Sequence, residues 1–174
     1  EVIEDEKIQK LVEKYDAESR FRILDGWQKH LVAFWLICMS LYHLYTAGFG
    51  LLPISIHRAI HMTFAIVAVF LLFPATMNSD RKHVPWYDWI LAAASGIGAG
   101  YIVFFFDDIA RRGAQVQSYE LWLGLLFMAL VIEAGRRVVG KVLPCLALIF
   151  LAYCYFGRYM PGMLVNTPSG STSF

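Results

Sequence analysis

Three histidines and one arginine lie close together in two long apolar stretches of the sequence. His43 precedes a corner that contains glycine and proline at residues 48–53. His57, Arg58 and His61 follow that corner. Histidines at positions i and i+4 lie on one helix face and can bind the same metal ion. Because charge is costly in an apolar segment, these four residues are the first candidates for chemistry.

Metal binding and haem ligation are the two chemistries that this set permits. Next to His57 and His61 the sequence has no carboxylate or cysteine to complete a metal site, so polar residues that reach lipid headgroups or a neighbouring helix are the simpler interpretation. A haem held by two histidines needs them at equal depth on facing helices. If the helices end at Leu52 and start at Ile56, His43 lies about 13 Å deep and His61 about 7 Å deep. This mismatch counts against haem, and a haem-bearing membrane anchor of a redox complex stays as the alternative function.

Five apolar segments must position these residues. The chain has 174 residues, of which 58% are hydrophobic and 17% charged, whereas a soluble domain carries about 25% charged residues. A span needs about 20 residues. The sequence therefore predicts an all-α polytopic membrane protein with about five transmembrane helices, and its net charge of +1 does not indicate nucleic-acid binding. The predicted segments are 30–52, 56–76, 86–106, 119–136 and 142–161.

Residues 1–29 are predicted to form an amphipathic helix on the membrane surface, with a solvated helical tail as the alternative. The predicted domains that follow are a four-span part at 30–140, a fifth, linking span at 141–163 and a flexible tail at 164–174. Eleven of the 15 Lys and Arg residues fall on the N-terminal side of a five-span topology. We therefore expect a cytoplasmic N-terminus and an external C-terminus. The polar connection at 107–120 is expected to carry a short surface helix.

Two further sets of residues are candidates for helix packing or a subunit interface. Ala92, Gly96 and Gly100 recur at four-residue spacing, which allows another helix to approach closely. Glu133 can reach the guanidinium groups of Arg136 and Arg137 at i+3 and i+4. This set either clamps a partner helix or closes its own helix as a local ion pair.

Arg58 is the last interface candidate. It is expected to reach lipid phosphate or to pair with Asp107 or Asp108. The sequence has no recognisable nucleophile and base in a catalytic arrangement, and we identify no intramembrane acid suited to a proton relay. The prediction is therefore a protein that is not an enzyme and has no cofactor.

Three stretches, taken in order, resemble a known family. They are LYHLYTAGFGLLPISIHRAIHMTFAIVAVFLLFPA, VPWYDW and VIEAGRRVVGKVLPCLALIFLAYCYFGRYMPG. Over residues 30–163 the chain resembles the N-terminal, small-subunit part of the fused membrane permease of TRAP transporters of the TAXI class. The resemblance implies four spans and one further helix that links them to the large subunit.

The resemblance also implies a function and partners. It points to a sodium-driven importer of organic acids in the bacterial inner membrane, in which this part braces an elevator-type large subunit. The implied partners are a large multi-span TRAP permease subunit, a periplasmic TAXI-type substrate-binding protein and membrane lipids. No substrate site is expected in this chain. We expect the large subunit to be either a separate chain or the remainder of a fusion.

Overall fold

The computed structural model describes residues 21–50, 52–76, 79–113 and 115–156. Most of this part is α-helical, and no strand occurs in it. The predicted surface helix over residues 1–20 and the predicted tail at 164–174 lie outside the described residues. Six helices occur in the described residues: α1 (Gly26–Phe49), α2 (Ile54–Leu72), α3 (Trp86–Phe104), α4 (Phe106–Arg112), α5 (Ser118–Val139) and α6 (Val142–Phe156).

The all-helical class predicted from the sequence is confirmed over the described residues, and the count of five spans stays a prediction. Helices α1, α2 and α3 are each long and apolar enough to cross a membrane. Helix α5 has 22 residues but carries charges near both ends, and α6 is apolar over 15 residues. The short helix α4 occupies the third connection, as predicted.

The corner between α1 and α2 lies earlier in the chain than predicted, at residues 50–53. Helix α1 ends at Phe49, and Gly50 follows with a φ of 105°, a conformation that is inexpensive only for glycine. Helix α2 begins at Ile54, directly after Pro53. Proline fixes its own φ and favours an extended residue before it, so the chain re-enters a helix only after it. Both helix ends therefore lie two or three residues away from the ends predicted from hydropathy.

Helices α2, α3 and α5 form the centre of the structure. The pairing of α2 with α3 is the most extensive, and α5 packs against both helices. Phe70 and Leu71 of α2 are almost fully buried there, with Leu130 and Ala134 of α5 beside them. Helix α1 packs on α2 and α6 packs on α5, so the two outer helices keep most of their apolar surface exposed.

The buried face of α3 differs from the predicted stripe of small residues. Ala92 is buried, but it shares its face with Ser95 and Ala99, which have no exposed surface. A four-residue spacing rotates by about 40° per step around a helix of 3.6 residues per turn. Gly96 and Gly100 therefore turn away from the contact, and a Cβ atom at Gly96 would meet nothing within 4 Å.

The close approach between helices occurs instead at a neighbouring glycine. A Cβ atom added to Gly98 would lie 2.9 Å from Cδ2 of Phe127 on α5, which is closer than van der Waals contact. At Gly100 the nearest atom is Cε2 of Phe104 in the same helix, at 3.9 Å. Within the described residues, Gly96 and Gly100 thus have no helix packed on them, and their role in an interface with another chain stays a prediction.

Candidate functional site

Two polar clusters lie at opposite ends of α2. The first, called here the ion cluster, consists of Arg22, Asp88, Glu133, Arg136 and Arg137. Asp88 is the third residue of α3 and has no exposed surface. One of its oxygens accepts a hydrogen bond from Arg22, and its Oδ1 accepts one from Nη1 of Arg137 at 2.7 Å. The carboxylate is therefore held between two guanidinium groups.

Glu133 extends the ion cluster along α5. Its two oxygens accept hydrogen bonds from Nε and Nη2 of Arg136, each at 2.7 Å. Oε1 also accepts one from Nε of Arg137 at 2.9 Å. The reach predicted from the i+3 and i+4 spacing is present. Arg137 also lies over the ring of Phe70, with 4.9 Å from its Cζ to the ring centroid, so it joins two carboxylates and an aromatic face.

The same arginines close the carboxyl end of α2. The last carbonyls of a helix have no partner within it and form the negative end of its dipole. Arg22 Nη1 donates to the carbonyls of Phe70 and Leu71 at 3.0 and 3.1 Å. Arg137 Nη1 donates to Phe73 O at 3.2 Å. Arg136 Nη2 donates to Ala75 O at 2.9 Å.

These contacts show that Glu133, Arg136 and Arg137 form more than a local ion pair within their own helix. Arg136 and Arg137 do more than close their own helix, because they also bind the segment that follows α2 and the start of α3. The partners are thus supplied by the same chain. Whether a second subunit also contacts Glu133, Arg136 or Arg137 stays a prediction.

Asp88, at the start of the apolar helix α3, was not among the residues predicted from the sequence to carry a function. The signal was available, because a single acid stands at the start of an apolar segment in VPWYDW, and such acids usually have a specific partner. Its partners could not be predicted from the sequence, because Arg22 lies 66 residues away along the chain and Arg137 lies 49 residues away. With both carboxylate oxygens paired to arginine, Asp88 links the start of α3 to the segment before α1 and to α5.

The segment before α1 supports the ion cluster. Residues 21–25 are not helical, so a surface helix that continues to residue 29 is wrong for this part. The backbone N–H of Arg22 donates to Leu72 O at 2.8 Å, which places the segment across the end of α2. Gln28 then accepts a hydrogen bond from the N–H of Val84 at 2.9 Å. The bond from Arg22 ties the non-helical segment to α2, and Gln28, in the first turn of α1, ties that helix to the residues before α3.

The second cluster, called here the histidine cavity, lies between α1 and α2 at the opposite end. It is a cavity of about 470 Å³. Its wall combines basic groups with one thioether, and within the described residues no carboxylate lines it. The lining residues are His43, His57, Arg58, His61 and Met62.

His43 and His61 touch in the structure, which overturns the depth mismatch. Nε2 of His43 and Nδ1 of His61 are 3.0 Å apart, a hydrogen-bond distance. The error came from the helix ends, because α1 ends at Phe49 and α2 starts at Ile54. Counted from those ends, the two histidines lie about 9 Å and about 10 Å deep.

Equal depth does not make this pair a haem site. An imidazole nitrogen lies about 2 Å from a bound metal, so two ligands on opposite sides of one iron need a separation of about 4 Å. The direct hydrogen bond between His43 and His61 and a shared iron therefore exclude each other. Among the described residues, no group of three or more His, Cys, Asp or Glu side chains is arranged to hold a metal ion.

The other two basic residues of the histidine cavity differ in how they are held. His57 Nδ1 lies 2.9 Å from the hydroxyl of Tyr42, and the two rings are stacked. Arg58 is exposed, and its side chain has no ion pair within the described part of the chain. It does not contact Asp107 or Asp108, the partners expected from the sequence.

A third polar contact ties α4 to its neighbours. Nη2 of Arg112 donates to Oε1 of Glu120 at 2.6 Å, and the hydroxyl of Tyr101 donates to the same oxygen at 2.6 Å. The hydrogen bond to Glu120 raises the pKa of Arg112 above its ordinary value. Glu120 also accepts the backbone N–H of Gln117 at 2.8 Å, so it caps the start of α5 while holding α4 in place.

No protein family, no curated protein and no solved structure matches this chain. The two clusters are therefore the observations from which function is inferred. Most donors and acceptors of the ion cluster are hydrogen-bonded, whereas the buried Nε of Arg22 has no partner within the described residues. Beside the histidine cavity, in contrast, the guanidinium group of Arg58 has no ion pair within the described residues.

Proposed function

We propose that this chain is the small, scaffold-type membrane subunit of a sodium-driven TRAP-type importer of organic acids. The observation that carries the proposal is the ion cluster. It fixes the end of α2 to the start of α3, the end of α5 and the segment before α1. A frame closed in this way resists relative helix motion, which is the property required of a part that braces a moving subunit. The ordered resemblance of residues 30–163 to the small-subunit part of TAXI-type permeases supplies the identity of that subunit.

The exposed apolar flanks support a role in assembly. Helix α1 presents Phe34, Leu41 and Leu44 at i, i+7 and i+10, with 66%, 58% and 70% of their surface exposed. This is one face of the helix. On the other flank, only Pro144 of α6 is buried. Exposed apolar surface of this extent needs lipid or another membrane protein to cover it. We assign these two flanks, the faces of α1 and α6, to contact with lipids and with the large permease subunit.

The proposal includes a location and a topology. In it, the protein lies in the bacterial inner membrane with five spans, a cytoplasmic N-terminus and a periplasmic C-terminus. The ion cluster then faces the cytoplasm, where the positive-inside rule favours arginine. The α1–α2 corner faces the periplasm, from which a TAXI-type substrate-binding protein approaches. The large subunit carries the substrate and sodium sites, and this chain carries none.

Co-purification tests the proposed function. The full chain, tagged and expressed in its native membrane, is extracted in mild detergent, and the proteins that elute with it are identified by mass spectrometry. We expect a large multi-span permease to elute in constant ratio with the chain. Elution without any such permease, from membranes shown to contain one, contradicts the proposed function.

The same experiment tests the predicted interface. Replacing Gly96 and Gly100 by leucine should reduce the amount of permease that elutes with the chain, because larger side chains prevent close helix approach. Gly124→Leu is the matched control, since Gly124 on α5 is likewise open and has nothing within 4 Å of an added Cβ. Unchanged recovery with the double variant removes Gly96 and Gly100 from the interface without removing the function.

A further inference from the structure

We propose that the histidine cavity binds a phosphodiester group, and that it does so more tightly when the pair of His43 and His61 takes up a proton. The proposal concerns a ligand site in this chain and does not depend on the scaffold function. A phosphodiester reaches such a site either as a lipid headgroup or as a water-soluble molecule. The chemistry at the phosphate is the same in both cases.

The hydrogen bonds around the cavity leave several donors for an anion. His57 uses Nδ1 for Tyr42, and when the phenol donates that bond the proton of His57 lies on Nε2. His43 and His61 use one nitrogen each for their mutual bond, and their other nitrogens make no hydrogen bond within the described residues. Arg58 adds a guanidinium group that has no carboxylate partner among the described residues. Guanidinium groups bind phosphate oxygens in pairs.

The size and depth of the cavity favour a phosphodiester over a small ion. A volume of about 470 Å³ falls in the range of roughly 300–1,000 Å³ that is usual for sites of small organic ligands. His43 and His61 lie about 9–10 Å from the helix ends. With those ends at the outer edge of a headgroup layer about 5–7 Å thick, the pair would lie close to the boundary with the hydrocarbon. Met62 supplies an apolar wall. The site therefore offers positive donors and an apolar surface together, as a headgroup with its first acyl carbons requires.

The hydrogen bond between the two histidines links anion binding to a proton. In the neutral pair, one imidazole donates its N–H to the other, so one of the two outer nitrogens carries hydrogen and the other is bare. A single added proton makes both outer nitrogens donors and gives the pair a positive charge, while the mutual hydrogen bond is kept. The groups that face this pair are Tyr42 on α1 and His57 and Arg58 on α2. Anion affinity should therefore be higher when the pair carries this proton, and so higher at low pH than at high pH.

Phosphorus NMR on the full chain in detergent tests the proposal with two probes. One is a short-chain phosphatidylglycerol, and the other is glycerophosphoglycerol, its headgroup without acyl chains. Both carry one constant negative charge between pH 6 and pH 8, so any pH dependence belongs to the protein. We expect line broadening with at least tenfold higher affinity at pH 6 than at pH 8. Equal binding of both probes identifies a water-soluble phosphodiester as sufficient, and binding of the lipid probe alone identifies a lipid headgroup.

Matched variants separate this site from general anion attraction. Arg58→Gln should lower the affinity about tenfold, whereas Arg111→Gln, which alters an exposed arginine on α4, should leave it unchanged. His61→Gln should abolish the pH dependence, whereas His30→Gln on α1 should retain it. The Arg58 side chain is exposed and has no ion pair in the described part of the chain, so its variant is expected to fold normally. The proposal is overturned if neither probe broadens, or if Arg58→Gln binds as well as the unaltered protein.

Discussion

The two ends of α2 carry similar numbers of basic side chains but use them differently. At one end, Arg22, Arg136 and Arg137 donate to two carboxylates and to the last carbonyls of the helix. At the other end, Arg58 and the histidines border a cavity that no carboxylate of the described residues lines. The first arrangement stabilises the fold, because buried charges are tolerated only when they are paired and hydrogen-bonded. The second arrangement leaves hydrogen-bond donors available for the proposed ligand.

Asp88→Asn should have the largest effect on stability. It leaves Arg22 and Arg137 buried without their shared counter-charge, and removing one member of a buried ion pair costs about 3–5 kcal/mol. For a chain of this size the Tm should fall by about 6–20 °C. Thermal unfolding in detergent, followed by circular dichroism, measures this fall. Asp107→Asn, which alters an exposed acid on α4, is the control and should unfold as the unaltered protein does.

A double variant shows whether the loss comes from the unpaired charge. In Asp88→Asn combined with Arg137→Met, one of the two stranded guanidinium groups is gone, so part of the lost stability should return. Residues in direct contact usually show coupling energies of about 0.5–3 kcal/mol. If the two substitutions simply add, Asp88 and Arg137 do not stabilise the fold through each other.

The contrast between Gly98 and Gly96 should be the next largest effect. Gly98→Leu forces new atoms against Phe127, and overpacking of this kind costs about 1–3 kcal/mol. Gly96→Leu meets open space and replaces a poor helix former, so the isolated chain should be as stable as before or slightly more stable. Thermal unfolding of both purified variants makes the comparison. Equal destabilisation would show that both glycines pack within the chain.

Tyr42→Phe should have a moderate effect, confined to the histidine cavity. It removes the hydroxyl that bonds Nδ1 of His57, and a hydrogen bond of this kind contributes about 0.5–1.5 kcal/mol. The ring contacts with His57 and Phe64 are retained. NMR of the His57 ring should show a changed balance of tautomers. An unchanged ring spectrum would mean that Tyr42 does not select the tautomer.

Asp80 should give the smallest effect, because it is exposed in the connection between α2 and α3. The backbone N–H of Lys82 and the side chain of His83 hydrogen-bond to its carboxylate and lower its pKa. A lowered pKa stabilises the fold above the carboxyl's unfolded pKa of about 3.9, and this stabilisation is lost as the pH falls through the folded pKa. NMR titration should place the midpoint of Asp80 below that of a free aspartate. Asp80→Asn should leave the Tm unchanged at pH 7, since exposed ion pairs contribute little.

Much of the helical frame could be predicted from hydropathy, whereas the contacts between helices could not. Apolar runs located α1, α2, α3 and α5 to within a few residues, because a span must be long and apolar. The ends at Phe49 and Ile54 were missed, since glycine and proline set them rather than hydropathy. That error of two or three residues at each end was enough to separate His43 from His61 by a helical turn.

The candidate sites show the same difference between contacts within one helix and contacts between helices. The bonds within Glu133, Arg136 and Arg137 follow from spacing along one helix, so the sequence predicts them. The bonds from Arg22 and Arg137 to Asp88 join residues that are distant in the chain, and they depend on which helix faces pack together. The rotation of α3 about its own axis determines which of its faces is packed. It buries Ser95 and Ala99 and leaves Gly96 open.

Side-by-side thermal unfolding of Asp88→Asn and Arg58→Gln tests the central distinction most directly. Both variants remove one charge at one end of α2, and both are measured in the same detergent at pH 7. If the ion cluster stabilises the fold, the Tm of Asp88→Asn should be about 6–20 °C below that of the unaltered protein. The histidine cavity as a binding site predicts a Tm for Arg58→Gln within about 2 °C of the unaltered protein. Equal falls, or a larger fall for Arg58→Gln, would contradict this division between a structural end and a binding end.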